Sequence, residues 1–255
     1  MDKVYLERTH RLFGDALMES IGQARIIILG IGGVGSWCAE GLVRSGVAHL
    51  TLVDADDVSP TNLNRQLMAT TKTIGRPKAE ALKERLLEIN PDADITAIKA
   101  TFSEENAASF NLDSYDYIID AIDSLKDKIT LIMEACRTRA TFFSSMGAAC
   151  KVDPTKIRVA EFWEVRGCPL GSILRKRMRQ KKLTPAKKFL CIYDDEVLPN
   201  LGGPKPEGEV PANALDEKKA VINGSTAPIT AIFGMTLSGL VLRDLRARQI
   251  RGDRP

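Results

Sequence analysis

The chain has 255 residues, 44% hydrophobic and 27% charged, which is the composition of a soluble globular protein. The net charge of only +3 gives little indication of any partner. The five cysteines are scattered and none forms a C-x-x-C pair, which argues against a four-thiolate zinc site. An odd number of cysteines and a polar, charged N-terminus without a secretory leader predict a cytoplasmic protein.

Apolar runs alternate with amphipathic stretches through the first part of the chain. The runs predict buried strands, and the stretches with a 3.6-residue period predict helices. In chain order the predicted elements are strand 26–29, helix 34–45 ending at Gly46, strand 50–53, helix 78–89, strand 94–99, strand 117–119, helix 124–139 and strand 141–145. This alternation predicts an α/β fold with a doubly wound, mostly parallel, Rossmann-like sheet.

The pattern changes after residue 147, where strand 157–162, a very basic helix 171–182 and strand 189–193 are predicted. Residues 196–219 are rich in proline, glycine and charge and predict a mobile loop. The apolar segment 225–242 contains a proline, two glycines and hydroxyls, so it predicts a buried or subunit-interface helix and no stable membrane insertion. We expect one domain over residues 1–255, in which a core (1–147) is followed by a C-terminal part (148–255).

A glycine-rich turn, GIGGVG, follows the first predicted strand and opens a helix. Its glycines are Gly30, Gly32, Gly33 and Gly35. Glycines let the backbone approach a phosphate, and a helix N-terminus supplies N–H groups and a positive dipole. Asp54 comes 24 residues after Gly30, where such folds place an acid that binds ribose. This pair alone would indicate an enzyme that binds NAD or FAD.

The loop after Asp54 carries a dense set of amides and one arginine. Its members are Asn62, Asn64, Arg65 and Gln66. A dinucleotide enzyme has no evident need for a guanidinium there, whereas Arg65 suits a triphosphate because arginine pairs with phosphate oxygens through two hydrogen bonds. Lys78, at the start of a predicted helix, adds a point charge suited to a polyphosphate.

Two acids, Asp120 and Asp123, follow the strand 117–119 at its carboxyl end, where ligands bind in open α/β sheets. A carboxylate at this edge can hold Mg²⁺ against phosphates. Two alternatives stay open, because Asp123 can instead cap the following helix and Asp120 can simply end its strand. Taken with the glycine turn, Arg65 and Lys78, these acids predict a site for a triphosphate with Mg²⁺.

The stretches GIGGVGS, DADDVSPTNLNRQ, GRPKAEA and IIDAIDS resemble the ubiquitin-activating-enzyme-like superfamily of ThiF, MoeB and HesA proteins. The resemblance implies adenylation of a carboxylate with release of pyrophosphate. By this resemblance Asp54 would bind the ribose and Asp123 would bind Mg²⁺. The residues that would face the phosphates are Asn62, Arg65 and Lys78, and Gln66 would support their loop. The segment RTHRLFG matches the part that reaches the γ-phosphate in a neighbouring subunit, which makes Arg11 a catalytic candidate and implies a homodimer.

Within this superfamily the chain is most similar to the tRNA threonylcarbamoyladenosine dehydratases. The stretches that carry this similarity are RLFG, GIGGVGSW, TNLNRQ, VDPTKI, CPLGSILRKRMRQKK and FGMTLSGLVL. The resemblance implies ATP-dependent activation of a carboxylate on an adenosine of tRNA, followed by cyclisation with loss of water. It also leaves a cysteine desulfurase or sulfur-acceptor protein open as a further partner.

The segment 175–188 favours an RNA substrate independently of the resemblance. It has eight basic residues in fourteen and no acid, so ion pairs within a helix do not neutralise it. A tRNA is a dense array of phosphates that such a helix can contact. The tRNA-binding candidates are Arg175, Lys176, Arg177, Arg179, Lys181 and Lys182.

Other functions stay open from the sequence. An adenylating activator of a small ThiS- or MoaD-like sulfur carrier would share the nucleotide site, but it needs a groove for a Gly-Gly tail rather than a basic surface. An oxidoreductase would leave Arg65, Lys78 and Asp123 without a role, and a nucleotide-sensing scaffold would not catalyse. Cys191 matches a cysteine of the family, but cyclisation needs no thiol and we expect a small buried residue.

Overall fold

The computed structural model describes residues 4–202 and 222–252, which form one seven-stranded sheet in the order β3-β2-β1-β4-β5-β7-β6. The strands are β1 (Arg25–Leu29), β2 (His49–Val53), β3 (Asp94–Ile98), β4 (Tyr117–Asp120), β5 (Thr141–Ser145), β6 (Ile157–Glu161) and β7 (Leu190–Asp194). All neighbouring strands are parallel except β6, which runs antiparallel to β7. The predicted doubly wound, mostly parallel α/β fold is confirmed.

The helices of the described residues are α1 (Glu7–Gln23), α2 (Gly35–Arg44), α3 (Lys78–Ile89), α4 (Leu125–Arg137), α5 (Pro169–Gln180) and α6 (Ala227–Arg251). Helix α1 was not predicted from the sequence, and it is kinked at Gly14, whose φ of +71° is not helical. The predicted end of α2 is confirmed. Gly46 has φ +106° and donates its N–H to Val43, while Val47 donates to Leu42, which satisfies the last carbonyls of the helix.

Two apolar layers cover the two faces of the sheet. Along β1, Ile26 and Ile28 pack into the layer with α2, α3 and α6, whereas Ile27 and Leu29 pack into the layer with α4 and α5. All four side chains are fully buried. A strand that is covered on both faces needs apolar residues at every position, which explains the unbroken IIIL run.

The chain after residue 147 extends the same sheet, because β7 pairs with β5 and β6 pairs with β7. Most of the predicted mobile loop, residues 203–219, lies outside the described residues, and residues 196–202 have neither helix nor strand. The apolar segment 225–242 falls mainly in α6, which packs chiefly against α2.

Helix α6 is long and apolar enough to cross a membrane, but half of its most apolar window is buried inside the protein. Its packing against α2 uses small residues. A Cβ atom on Gly234 would lie 2.4 Å from the carbonyl oxygen of Val34, and one on Gly41 would lie 2.4 Å from Oγ of Ser238. This close approach supports the interpretation of α6 as a core helix.

Candidate active site

A cavity of about 770 Å³ lies at the carboxyl edge of the sheet, beyond the ends of β1, β2, β4 and β5. Open α/β sheets bind ligands at this edge, and the volume is that of a small-molecule site. The cavity wall includes the predicted residues Gly30, Gly32, Gly33, Asp54, Asn62, Arg65, Gln66, Lys78 and Asp123. The predicted residues Gly35 and Arg11 are not part of this wall.

The glycine turn uses glycine for two different reasons. Gly30 has φ +92°, and a Cβ atom there would lie 2.6 Å from the carbonyl oxygen of Ala121. Gly35 begins α2, and its Cβ atom would lie 1.9 Å from the carbonyl oxygen of Gly30. Packing therefore favours glycine at position 35, and this residue, which the sequence analysis placed at the nucleotide, does not line the cavity. Gly32 opens onto the cavity, where a phosphate can approach its backbone.

Asp54 is held just after β2 by two backbone N–H groups. Its Oδ2 accepts from Ile31 at 2.6 Å, and its Oδ1 accepts from Asp56 at 2.9 Å. Burial raises the pKa of the Asp54 carboxyl, while nearby Lys78 and the two N–H donors oppose the shift. A carboxylate has about four acceptor sites, so an oriented Asp54 can still accept hydrogen bonds from ribose hydroxyls.

Lys78 is the first residue of α3 and is buried. Its Nζ lies 2.7 Å from Oδ2 of Asp56 and 4.0 Å from Oδ1 of Asp54. The sequence indicated a lysine directed at phosphates, whereas the structure pairs its ammonium with two carboxylates at the ribose side. An ammonium has three donors, so Lys78 can keep Asp56 and also contact a phosphate oxygen.

The loop that carries Arg65 is braced by its own side chains. Oδ1 of Asn62 accepts from the N–H of Ser59 at 3.0 Å, and Ser59 caps the short 3₁₀ helix that follows. Arg65 donates through Nη1 to the carbonyl of Thr61 at 3.0 Å and to Oδ1 of Asn64 at 2.9 Å. Asn62 therefore acts mainly on the loop itself, while Arg65 contributes a half-buried guanidinium to the cavity wall.

Gln66 lines the cavity and is only 7% exposed. Among the atoms that the structure describes, its Oε1 is buried without a hydrogen-bond partner. A buried acceptor in this state is unfavourable, so it suits a donor on a ligand or a bound water. Nearby, Asn64 donates through Nδ2 to the carbonyl of Ser225 at 2.9 Å, which ties this loop to the segment before α6.

Asp120, at the end of β4, is fully buried and belongs to an ion pair. Its Oδ2 accepts from Nζ of Lys128 at 2.8 Å and from Oγ of Ser144 at 2.6 Å. Removing one partner of a buried ion pair typically costs about 3–5 kcal/mol, because the other charge stays buried. The alternative that Asp120 simply ends its strand is therefore correct, and its carboxylate does not line the cavity.

Asp123 does line the cavity, and so does Asp127 one turn into α4. The N-cap position of α4 is Ser124 rather than Asp123, so the capping alternative for Asp123 is wrong. No group of three or more His, Cys, Asp or Glu side chains in residues 4–202 and 222–252 could hold a metal alone. One or two carboxylates nevertheless fit Mg²⁺, which completes its shell with water and phosphate oxygens.

Arg11 lies on the outer surface of α1. Its side chain is 75% exposed, and its Nη2 lies 2.6 Å from Oε1 of Glu7. The fold of a single chain therefore does not bring Arg11 to the cavity of the same chain. This position is compatible with the prediction that Arg11 acts on a neighbouring copy.

The basic helix α5 begins at the cavity, which Leu170 lines. The predicted tRNA contacts that are exposed are Lys176, Arg177, Arg179, Lys181 and Lys182. Arg175 was predicted to bind tRNA, but it is buried and donates through Nη1 to the carbonyl of Phe162 at 3.1 Å. Burial, with Arg166 and Arg179 nearby, lowers the pKa of Arg175. We therefore remove Arg175 from the candidate tRNA surface.

Cys191 lies in β7 and is fully buried, which raises the pKa of its thiol well above the usual value. A protonated, inaccessible thiol is a poor nucleophile, so we expect Cys191→Ala to keep turnover within about twofold of the wild type. Steady-state rates of the two proteins test this expectation. A loss of more than about tenfold in a variant with an unchanged melting transition would instead assign the thiol a chemical role.

The second part of the chain supplies cavity residues that the sequence did not indicate. Ser225, just before α6, and Thr230, in the first turn of α6, line the cavity. A Cβ atom on Gly33 would lie 3.1 Å from the side chain of Thr230, so α6 packs directly on the glycine turn. The hydroxyl-rich STAPIT start of an otherwise apolar helix is the signal that could have marked this end of α6.

Comparisons with known proteins agree with this geometry. The ThiF family model matches residues 6–249. The chain is 35% identical over 239 residues to the tRNA threonylcarbamoyladenosine dehydratase of Bacillus subtilis, with 93% of each chain covered. It is 34% identical to the Escherichia coli protein of that name, with 95% of this chain and 94% of the relative covered.

A solved structure shares the fold along nearly the whole chain. It is the crystal structure of E. coli tRNA N6-threonylcarbamoyladenosine dehydratase, TcdA, in complex with ATP. The TM-score is 0.83 at 31% identity, with 97% of this chain and 96% of that chain covered. The glycine turn, the acid after β2 and the match over residues 6–249 lead to one conclusion: the chain belongs to the ThiF family.

Proposed function

We propose that this protein uses ATP to dehydrate threonylcarbamoyladenosine in tRNA by adenylating its carboxylate. The observation that carries the proposal is that Asp54, Arg65 and Asp123 line the same cavity at the carboxyl edge of the sheet. Relatives that match more than nine-tenths of the chain are named tRNA threonylcarbamoyladenosine dehydratase. A solved structure of such a protein contains ATP. An oxidoreductase would give Arg65 and Asp123 no role.

The reaction balances in two steps. An oxygen of the threonyl carboxylate attacks the α-phosphorus of ATP, and the bond to pyrophosphate breaks. A carbamoyl nitrogen then attacks the activated carbonyl carbon and loses its proton, while AMP leaves with the former carboxylate oxygen. The nucleoside loses the atoms of one water, and ATP becomes AMP and pyrophosphate. No thiol is needed, in keeping with the burial of Cys191.

Different residues of the cavity bind different parts of the nucleotide in this proposal. Asp54 accepts hydrogen bonds from the ribose, and the backbone at Gly32 approaches the phosphates. Arg65 and Lys78 offset the negative charge that grows on the phosphates as pyrophosphate leaves. Asp123 would hold Mg²⁺, which would supply further positive charge at the triphosphate.

The protein acts as a homodimer in which Arg11 of one copy contacts the γ-phosphate in the cavity of the other. This assignment is supported by the exposure of Arg11 and by its position away from the cavity of its own chain. We further propose that the whole chain is one domain, with residues 148–255 serving the substrate and the dimer, and that it works in the cytoplasm.

The exposed basic side of α5 forms the tRNA surface of this proposal. The helix has 12 residues and therefore extends about 18 Å away from its start at the cavity. A tRNA whose modified adenosine enters the cavity would lay neighbouring phosphates along Lys176, Arg177, Arg179, Lys181 and Lys182.

Reversing the charge of two of these residues tests the surface. The variant Arg177→Glu with Lys181→Glu is expected to raise KM for tRNA at least about tenfold. The slope of log affinity for tRNA against log salt concentration should fall by about two, because two phosphate contacts are lost. Its affinity for ATP should not change. A control with the same change in net charge is Lys72→Glu with Lys83→Glu. Equal effects of the two double variants on KM would contradict a specific tRNA surface.

The direct test of the function uses tRNA that carries threonylcarbamoyladenosine. The purified protein is incubated with this tRNA, ATP and Mg²⁺, and the digested nucleosides are weighed by mass spectrometry. We expect a loss of one water that requires ATP. No mass change, together with ATP–pyrophosphate exchange only in the presence of a small Gly-Gly protein, would favour the sulfur-carrier activator instead. Absence of both reactions would favour the nucleotide-sensing scaffold.

A further inference from the structure

A fully buried ion pair lies next to the loop that carries Asp123, the proposed Mg²⁺ ligand. Lys128 of α4 and Asp120 of β4 are both 0% exposed, and Nζ lies 2.8 Å from Oδ2. Ser144, which is paired with Asp120 across the neighbouring strands, adds a hydrogen bond from Oγ to the same oxygen at 2.6 Å. Neither Asp120 nor Lys128 lines the cavity, so the pair has no direct contact with a ligand there.

Both members of the pair hold the same backbone residue. Oδ1 of Asp120 accepts from the N–H of Ile122 at 3.0 Å, and Nζ of Lys128 donates to the carbonyl of Ile122 at 2.9 Å. The residue immediately before Asp123 is therefore fixed at its N–H and at its carbonyl. A buried charge pair is costly to form unless such additional hydrogen bonds satisfy its remaining donors and acceptors.

The other side of the same loop rests on the glycine turn. Ala121 donates its N–H to the carbonyl of Leu29 at 2.8 Å, and its own carbonyl occupies the space of a side chain at Gly30. The loop 121–124 is thus fixed between the ion pair on one side and the glycine turn on the other. The geometry of this loop therefore determines where Asp123 lies relative to the glycine turn.

We infer that Lys128, through Asp120 and the backbone of Ile122, is a positioning residue that holds the Asp123 carboxylate where it can bind a divalent cation on the triphosphate. The inference rests on the proposed role of Asp123 in the nucleotide site. Residues that orient a metal ligand typically change metal affinity by about 10–100-fold when they are replaced.

The test measures metal binding without turnover. Mn²⁺ is titrated into the full-length protein with a non-hydrolysable ATP analogue, and free Mn²⁺ is followed by electron paramagnetic resonance. Lys128→Met is expected to weaken Mn²⁺ binding about tenfold or more, while affinity for the analogue in EDTA stays within about twofold. Lys126→Met, on the same helix with a side chain that is 65% exposed, is the matched control and should change neither value.

A milder variant keeps the test informative if Lys128→Met does not fold. Ser144→Ala removes one hydrogen bond to Asp120 without unpairing a charge, and it should weaken Mn²⁺ binding in the same direction by a smaller factor. Unchanged Mn²⁺ affinity in folded variants, or an equal loss of analogue affinity in EDTA, would overturn the inference. A wild type that binds no Mn²⁺ with the analogue would overturn it as well. Wild-type Mn²⁺ binding without tRNA dehydration would overturn only the proposed function.

Discussion

Asp123→Asn is expected to lower the turnover number for tRNA dehydration by about 100-fold or more, with ATP still able to bind. The change keeps the shape of the side chain but removes the negative charge that holds Mg²⁺ against the phosphates. Asp54, Arg65 and Lys78 would still bind the nucleotide. The rate should be measured by mass spectrometry of the nucleoside under single-turnover conditions, over a range of Mg²⁺ concentrations.

Asp113→Asn is the matched control, because Asp113 is exposed and does not line the cavity. It makes the same chemical change and should keep the wild-type rate. A rate for Asp123→Asn within about threefold of the wild type at saturating Mg²⁺ would contradict the metal role. In that case Asp127, the other acid that follows β4 on the cavity wall, would be the residue to replace next.

Gly35→Ala is expected to destabilise the protein by about 3 kcal/mol, at the upper end of the usual cost of overpacking. The new Cβ atom would lie 1.9 Å from the carbonyl oxygen of Gly30 and 3.3 Å from Cγ2 of Ile28. Backbone cannot rotate away as a flexible side chain can, so the turn itself must move. For a chain of this size the melting temperature should fall by about 6–12 °C, and nucleotide affinity should fall with it.

The matched control is Gly239→Ala, within α6. Gly239 is exposed, and no described atom lies within 4 Å of the Cβ position. Alanine is the better helix former by up to about 1 kcal/mol, so this variant should be as stable as the wild type or slightly more stable. Urea unfolding of both variants provides the comparison. Equal stability of the two would mean that the turn does not have the close contact between residues 30 and 35.

The cavity at the carboxyl edge of the sheet was predictable because each of its main parts follows from a short stretch of sequence. An apolar run followed by glycine marks β1 and its turn, and an acid at the end of the next run marks Asp54. The partners of these residues were not predictable. The contacts of Lys78 with Asp56 and of Asp120 with Lys128 join separate elements, and a one-dimensional pattern carries no information on which charges will meet.

The burial of Arg175 could have been predicted from the helical periodicity of the sequence, but the high density of basic residues suggested an exposed side chain. Gly171, Leu174, Arg175 and Met178 are the buried residues of α5, and their spacing of three and four places them on one face. The density of basic residues suggested solvent and phosphate for the entire run. The periodicity indicated instead that one guanidinium would face the interior, where the carbonyl of Phe162 accepts its hydrogen bond.

The contact between Gly30 and Ala121 affects what the glycine-rich turn can say about whether a related protein still binds a nucleotide. Glycine at positions 30 and 35 is demanded by neighbouring backbone, with or without a nucleotide. A descendant that had lost catalysis would still be under pressure to keep both glycines, because replacing either one would destabilise the fold. Gly32, which opens onto the cavity, would be free to drift in such a pseudoenzyme. Retention of Gly32 is therefore the more informative mark of a protein that still uses its nucleotide.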